Sequence, residues 1–322
     1  MNIIYNGTDI YNDVDLTYCV YETFSERQAD TLTLRFKDED GIWNWWNPQS
    51  GDEVQLIEGS CDTGIMFAHS TASENDAFTI RSLSLPQSRS LTMTQAWEGV
   101  RFLQIGNLIA QKHGLTFKNF GCKDQVYPYL KQENENDFSF YSGLCTLEGY
   151  QMIVYNEQLI VYDEAEKDSG LPEYSLDIVD NNAFAYNKRS TQYGCCEVSA
   201  GGYRGKYDIG DTGGLTLRPN SISDVEARVP GLALSKNRAN IQCSSDAEAA
   251  RFAKGLLRYV NKYSCIGRFT TDLMTGYAAA SVINITNTLT NLQNEAVFIY
   301  KIRHDFVNAK STFYFRKVLE GY

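Results

Sequence analysis

The chain has little histidine and little proline: three His and six Pro in 322 residues. The histidines His69, His113 and His304 lie far apart, and no HExxH or paired Cys/His spacing exists, which removes the usual zinc arrangements. The eight cysteines (Cys19, Cys61, Cys122, Cys145, Cys195, Cys196, Cys243 and Cys265) include no CxxC pair. They read as free buried thiols. On a strand, the adjacent Cys195 and Cys196 would alternate, one inward and one outward. The opening "MNIIYNGTDIYNDVD" lacks a basic start followed by an apolar run, so no signal peptide is expected. No membrane anchor is expected either, because no apolar window approaches the ~20 residues that span a bilayer. There is no GxSxG elbow, no Walker loop and no GxGxxG after a strand. "GGYRGKYDIGDTGG" is glycine-rich but lacks the Lys-Ser/Thr of a phosphate cradle. "KDEDG" is followed by the tryptophans of "IWNWW" where a calcium loop places its ligands. No cofactor and no metal are expected. Basic residues are also in the minority, 29 against 40 acidic, for a net charge of −11. Such a surface repels nucleic acid, so sequence-specific binding to it is not expected.

Aromatic residues are plentiful: 21 Tyr and 16 Phe bring the aromatic share to 13%, which favours strands. Hydrophobic content of 43% with 21% charge marks a folding chain, and 24 Gly suggest many tight turns. The length allows two or three domains.

Residues 1–88 read as strands. "LTYCVYETF" and "DTLTLRF" alternate apolar and polar; "GIWNWWNPQSGDEVQLIEG" gives a turn at Pro48 and Gly51, then a strand from Val54 to Ile57. "TGIMFAHS" and "AFTIRSLSL" complete the run. Residues 89–168 read as a small α+β unit. A first helix is capped by Thr94, with Trp97, Val100, Ile105, Leu108 and Ile109 on one face and Gly114 at its end. "LTFKNF" is a short strand. A second helix is capped by Asn136 or Asp137 and carries Phe138, Tyr141, Leu144, Cys145 and Glu148 at helical spacing; Gly149 stops it. "YQMIVYNEQLIVYD" is a hairpin turning at Asn156–Glu157. Residues 169–322 read as a second β-domain, with a glycine-rich loop region near 201–235 and one helix at 245–262. Ser245 and Glu248 make a capping box for that helix, and Ala249, Phe252, Leu256 and Val260 form its stripe.

Thr31–Leu85 and Gly267–Leu319 are similar in length and order. Each begins with a Thr-containing strand, passes through "EVQLI" or "SVINIT", continues into a His ("GIMFAH", "FIYKIRH") and closes on a Phe–Arg strand. They read as two related β-units flanking the α+β unit, with His69 and His304 at equivalent places.

Glycoside hydrolysis is the enzyme chemistry the residues permit. Glu133, Glu135, Asp137 and Glu148 would supply two carboxylates across a cleft, and Trp43, Trp45 and Trp46 would stack on sugars. The structural reading is favoured: acids at a helix start complement its dipole, and the tryptophans anchor a β-domain.

The segment Gln132–Tyr150, with Gln132, Asn136, Asp137, Phe138, Leu144, Glu148, Gly149 and Tyr150 at fixed spacing, followed by a hairpin ending "LIVYD", resembles the baseplate hub proteins of contractile phage tails. That family includes the late control D proteins and the hubs of phage-tail-like bacteriocins, and is similar to the first half of type VI secretion spike proteins. Trp43 to Leu56, through Trp43, Trp46, Pro48, Gly51 and Asp52, and Ile299 to Leu319, through His304, resemble further segments of it. The stretch from Tyr203 to Leu234 has no counterpart.

The resemblance implies an α+β, mainly β fold: two tube-protein-like β-barrel domains flanking a small α+β domain, with three chains forming a pseudo-sixfold ring. It implies a homotrimeric, non-enzymatic adaptor joining the sixfold tail tube to the threefold central spike around a channel. The partners would be other copies of the chain, the tail tube protein, the spike protein, a tape-measure protein and baseplate wedge proteins. The location would be a virion or phage-tail-like particle assembled in the bacterial cytoplasm. An acidic channel wall would let DNA or a tape-measure protein pass with little adhesion. The alternatives are the hub platform of a non-contractile tail tip, and a cell-wall hydrolase or carbohydrate-binding baseplate protein.

Overall fold

The computed structural model describes residues 1–322 apart from 27, 87, 89–90, 180–183, 189–191, 211–213, 230–239, 289 and 291. Parts of the glycine-rich region near 201–235 therefore lie outside the described residues. The N-terminal part holds β1 (Asn2–Tyr5), β2 (Thr8–Asp9), β3 (Leu16–Phe24), β4 (Thr31–Lys37), the short helix α1 (Ile42–Trp46), β5 (Glu53–Glu58), β6 (Cys61–Asp62), β7 (Met66–Glu74) and β8 (Ala77–Leu83). The middle holds β9 (Thr92–Arg101), α2 (Phe102–Lys112), β10 (Thr116–Phe120), β11 (Val126–Asn136), α3 (Asp137–Glu148), β12 (Tyr150–Tyr155), β13 (Gln158–Asp163) and α4 (Glu164–Ser169). The remainder holds β14 (Tyr174–Asp177), β15 (Phe184–Lys188), β16 (Cys195–Ala200), β17 (Tyr203–Asp208), β18 (Thr216–Leu217), α5 (Ile222–Glu226), α6 (Asp246–Asn261), β19 (Cys265–Asp272), β20 (Ser281–Asn287), β21 (Leu292–Asp305) and β22 (Lys310–Lys317).

A 14-stranded sheet runs β15-β19-β22-β21-β3-β4-β8-β7-β5-β1-β2, with β20 on β21, β14 on β20 and β6 on β5. Within it one pairing pattern occurs twice. The first set is β3-β4-β8-β7-β5 and the second is β15-β19-β22-β21-β20, each antiparallel at every step and each in the same chain order. The first strand of each hairpin also carries one bulge, at His69 in β7 and at Tyr300 in β21. Aligning the bulges matches Ser70–Glu74 to Lys301–Asp305, and the shared registers then match Leu83 to Arg316, Leu32 to Gly267 and Tyr21 to Tyr186. His69 and His304 are thus four rungs apart rather than equivalent, because matching the two histidines ignores the bulges. His304 shares its rung with Ser73.

The alternation read in β3 and β4 places Cys19, Tyr21, Leu32, Leu34 and Phe36 in the first set's core. Phe269, Phe313, Phe315, Ile283 and Ile299 fill the second. Phe269 and Phe313 stack at 5.0 Å.

A third core forms where residues 97–161 and 196–260 pack together. The boundary expected after residue 168 cuts through this core. Residues 189–264, inserted between β15 and β19, carry α6, whose buried stripe (Ala249, Phe252, Leu256, Val260) faces α3 and the β16–β17 hairpin rather than the second strand set. The stripe announces a buried face without saying which core receives it. The N-cap of α6 is Ser245, accepting from the Glu248 N–H as expected, but the expected capping box is not completed: the Glu248 carboxylate accepts from the Ser244 N–H instead.

The helix expected from Thr94 begins at Phe102 instead. Thr92–Arg101 is a strand paired with β11, since Trp97 and Val100 satisfy helical spacing and a half-exposed ribbon equally well. Leu108, expected on the buried face, is exposed on α2, while Ile105 and Ile109 are buried. Helix α3 follows expectation: Asn136 accepts from the Ser139 N–H at its start, and Gly149 at φ 81° ends it in the left-handed conformation that favours glycine. The hairpin turns at Asn156 and Glu157, both with positive φ, as a type I′ turn requires. All eight cysteines are free and buried; Cys195 and Cys196 are both inside, in the central strand of the β17-β16-β18 sheet.

Candidate functional site

The two strand sets meet at one ladder. The C-terminal part of β21 pairs with β3, Lys301 to Phe24 through Asp305 to Val20, placing His304 opposite Tyr21. The two rings stack at 6.4 Å. Tyr21 donates to Asp30 at 2.8 Å, and the Phe24 N–H donates to the same carboxyl at 2.9 Å. Burial pushes the Asp30 carboxyl up to about 7, against those hydrogen bonds. Burial pushes the His304 imidazole down to about 4; its Nδ1 shares a hydrogen bond with Ser311 Oγ at 2.8 Å.

Beside this seam lie six buried charges: Glu26 in the β3–β4 link, Glu164 and Asp168 in α4, Arg258 in α6, Lys262 just beyond it, and Arg316 in β22. Arg316 reaches Glu164 at 3.2 Å and Asp168 at 3.0 Å. Arg258 meets Glu164 at 3.3 Å and also pairs with Asp168; Lys262 meets Glu164 at 3.5 Å and also pairs with Glu26. The Arg316 guanidinium lies 4.1 Å from the Phe298 ring centre. Burial opposes the charge of Glu164, but Lys262, Arg316 and Arg258 outweigh it and hold the carboxyl well below its usual range. Three acids and three bases leave the cluster neutral, which is the condition for burying ions at all. It ties α4 and the end of α6 to the β3–β4 link of the first set and to β22 of the second. The sequence reading missed it: "DEAEKDS" looks like a solvated loop, and its bases arrive from about 90 to 150 residues away.

Among the described residues several strands of the large sheet have a neighbour on one side only, including β2, β14, β15 and the end of β7. Beyond the bulge, Ser70–Glu74 of β7 pair only with β8 and are exposed throughout. The matching residues Lys301–Asp305 lie between β22 and β3. At the other end, β15 pairs only with β19 and exposes Ala185–Lys188. Exposed apolar side chains include Trp45 at 89% and Ile42 at 61% in α1, with Leu171 and Val179 equally exposed elsewhere. A cleft of about 490 Å³ beside Trp46 is rimmed by Asp13, Asp15, Glu39 and Asp40.

The residues singled out by sequence fall in three separate places. At the α1 corner, Trp43 is buried and stacks on Phe36 at 4.4 Å, while Trp46 packs on Tyr5 at 4.9 Å. Pro48 is half-buried, the Gly51 N–H donates to the Ala68 carbonyl at 2.8 Å, and Asp52 accepts from the Gln49 N–H and from Tyr5. With Trp43 in the core and Trp45 outside, the three tryptophans form no common platform for a sugar.

Around α3, Gln132 donates to Asp137 at 2.9 Å, and Asp137 also binds Lys112 at 2.6 Å and His113 at 2.9 Å. Burial opposes ionisation of Asp137; Gln132, Lys112 and His113 outweigh it and hold the carboxyl below its usual range. Glu148 is clasped by Arg251 at 3.1 and 3.2 Å and by Tyr127 at 2.7 Å. Phe138, Leu144 and Tyr150 are core, and the Lys123 N–H donates to the Tyr150 hydroxyl at 3.0 Å. Asp137 and Glu148 cap opposite ends of one helix, about 16 Å apart at 1.5 Å per residue. A glycosidase pair needs roughly 5–9.5 Å. Glu133 and Glu135 lie in β11 rather than at a helix start, Glu133 pairing with Lys131 at 2.8 Å. His304, the third place, belongs to the seam. Among the described residues no group of three His, Cys, Asp or Glu side chains is placed to hold a metal ion, and no helix is long and apolar enough to cross a membrane.

No protein-family model matches the chain, and no curated protein matches it in sequence. Solved structures do match. The 43 kDa tail protein of prophage MuSo2 from Shewanella oneidensis superposes with a TM-score of 0.72 at 10% identity, covering 98% of this chain and 97% of that one. A tail protein from Neisseria meningitidis MC58 gives 0.71 at 8% identity, covering 98% and 95%. The E. coli c3393 protein, described as a type VI secretion component similar in structure to the T4 bacteriophage tail proteins gp27 and gp5, gives 0.59 at 11% identity, covering 100% of this chain and 78% of that one. At these identities the likeness is one of fold. Over nearly its whole length this chain is built like phage tail and type VI secretion proteins, matching the hub-like resemblance in its sequence.

Proposed function

We propose that the chain is a structural component of a phage tail or phage-tail-like particle: a baseplate hub in which three copies form a ring around a channel. The observation that carries this is the doubled strand set. One chain holds two copies of a five-strand pairing pattern side by side in one sheet, so three chains present six similar units. A threefold assembly can then meet a sixfold tube on one face and a threefold spike on the other, a match that needs internal pseudosymmetry. The fold of the matched tail proteins supports the same reading.

The partners are other copies of this chain, the tube protein, the spike protein, and tape-measure and wedge proteins. The role is mechanical rather than enzymatic, since Asp137 and Glu148 are tied into ion pairs at opposite ends of α3. Native mass spectrometry of the chain, alone and in purified particles, is the test. Three copies per assembly is the expected result; a monomer or a twofold dimer in the particle would sink the reading.

A further inference from the structure

The two strand sets share one continuous sheet but keep separate cores. Where they meet, a cavity of about 330 Å³ is lined by Tyr21 and Cys61 of the first core and by Tyr277, which packs against the second. The ladder explains which seam residues share it. Residues directly opposite in an antiparallel pair stand on one face, so His304 accompanies Tyr21, and Thr23 across from Ile302 lies on the same side. Asp30, one residue before β4, joins them. The β12–β13 hairpin supplies Tyr155, whose hydroxyl donates to the Asp62 carbonyl at 2.8 Å. At the rim, Ser60 and Thr275 share a hydrogen bond at 3.1 Å, tying the two sets together.

Three features of the lining select a guest. It is rich in rings, with Tyr21, Phe24, Tyr155, Tyr174 and Tyr277, the last two in contact at 4.7 Å. Its charges are of one sign: Asp30, Asp62 and Glu173 line it, and among the described residues no Lys or Arg does. His304 is neutral, held so by burial. Glu173 has Lys167 at 3.6 Å, but the buried Asp30 carboxyl receives only the Tyr21 hydroxyl and the Phe24 N–H. The third feature is Ser281, 6% exposed, which lines the cavity with no hydrogen-bond partner for its hydroxyl among the described residues. Ring faces attract cations, a buried carboxylate calls for a counter-ion, and an unpaired hydroxyl can accept an N–H. We propose that the seam cavity binds an organic cation, an alkylammonium or guanidinium head, between Asp30, Ser281 and the tyrosine walls. A bare metal ion is the poorer guest, since no three His, Cys, Asp or Glu side chains among the described residues are placed to hold one. The cation has two sources, a free polyamine or a lysine or arginine side chain of a neighbouring protein. Asp62 and Glu173 are exposed at the mouth and would hold the second ammonium of a polyamine, which a single side chain lacks. The site is complete within one chain, so it stands whether or not three copies form a ring.

Burial keeps the Asp30 carboxyl near 7 against its hydrogen bonds to Phe24, Tyr21 and Thr23, while Cys61, pushed up to about 12, stays a neutral thiol. A cation favours the ionised carboxylate, so binding tightens as pH rises through 7; His304, titrating near 4, is silent there. Calorimetry with n-butylammonium is expected to show more than tenfold tighter binding at about pH 8 than at about pH 5.5, with proton release near pH 6.5. n-Butanol, the neutral isostere, is expected not to bind measurably. Asp30→Asn is expected to weaken binding at least tenfold and flatten its pH dependence, and Asp40→Asn, outside the cavity, to leave it unchanged. Gly276→Arg is the second variant. A Cβ there would meet only Ser60 Oγ, at 3.4 Å, and the backbone is not left-handed, so the new side chain can place its own guanidinium in the cavity and block the probe. Equal binding of butanol and butylammonium, no binding at tens of millimolar, or binding untouched by both cavity variants overturns the proposal. Spermidine binding at least tenfold tighter than Nα-acetyl-lysine methylamide identifies a free polyamine as the guest; equal affinities identify a basic side chain.

Discussion

Ser73 and His304 occupy the same rung of two strand sets with the same pairing order, but their surroundings differ. His304 is buried under Tyr21 with its imidazole held neutral, while Ser73 stands on an exposed edge. Leu83 and Arg316 differ in the same way. Leu83 is half-buried in its sheet; Arg316 lies fully inside, coordinated by two carboxylates. The pairing pattern therefore fixes backbone geometry alone. Whether a rung carries an apolar, polar or charged side chain depends on what is packed against it, and the second set sends Arg316 of β22 to the acids of α4.

The comparison breaks most visibly at Arg316. Arg316→Met leaves Glu164 and Asp168 short of a buried partner and is expected to cost about 3–5 kcal/mol. Leu83→Met on the matching rung is expected to cost below about 1.5 kcal/mol. Urea unfolding midpoints check both, and equal costs would mean that the charge cluster is not the clamp described.

The seam supplies the next effect, on the order of 4 kcal/mol for Asp30 and 3 kcal/mol for His304 from the size of the two shifts. The folded Asp30 carboxyl titrates near 7, above the usual 3.8. The folded state therefore binds the extra proton from about pH 4 to 7, and the contribution of Asp30 falls as pH rises through that window. The folded His304 titrates near 4, below the usual 6.5, so its contribution is complete above 6.5 and falls as pH drops toward 4. The slopes oppose each other. Asp30→Asn is expected to lose stability as pH falls from 6.5 to 4, and His304→Gln to lose it as pH rises from 4 to 7. Parent-like pH profiles in both variants would show that the seam carries neither shift.

The two pieces of the central unit give a smaller effect. Gly255 of α6 touches α3 so closely that a Cβ there would fall 2.2 Å from the Leu147 carbonyl oxygen and 2.7 Å from the Gly149 N. Backbone cannot yield as a side chain does, so Gly255→Ala is expected to cost about 1–3 kcal/mol by thermal melting. Asn136→Ala removes one N-cap bond of α3 and should cost about 1 kcal/mol; a much larger loss would mean that this end of the helix holds more than a cap.

Local signals made much of the architecture legible. Period-two alternation marked β3, β4 and β8, while Asn136, Gly149 and the Asn156–Glu157 turn marked the α3–hairpin segment. The doubling was legible in strand order, though its register was not, because bulges leave no residue signature. β9 was misread because a ribbon with little burial lacks clean alternation. The charge cluster was illegible for a different reason. Acids in a polar heptad look solvated, and only the returning chain brings Arg258, Lys262 and Arg316 onto them. The candidate carboxylates show the converse: adjacency in sequence suggested a site, and the length of α3 separates its two ends.

The β21–β3 ladder also bears on how this chain can change over generations. In an assembly of identical copies of a single-unit chain, every substitution appears in every unit, and a change that suits one neighbour must suit them all. Here two units are translated together and always meet in the same order. A substitution in one leaves the other untouched, so arginine at residue 316 never obliged the first unit to find room for an arginine at residue 83. Tandem linkage makes the two units independently heritable, and divergence between them can accumulate while the shared pairing order persists.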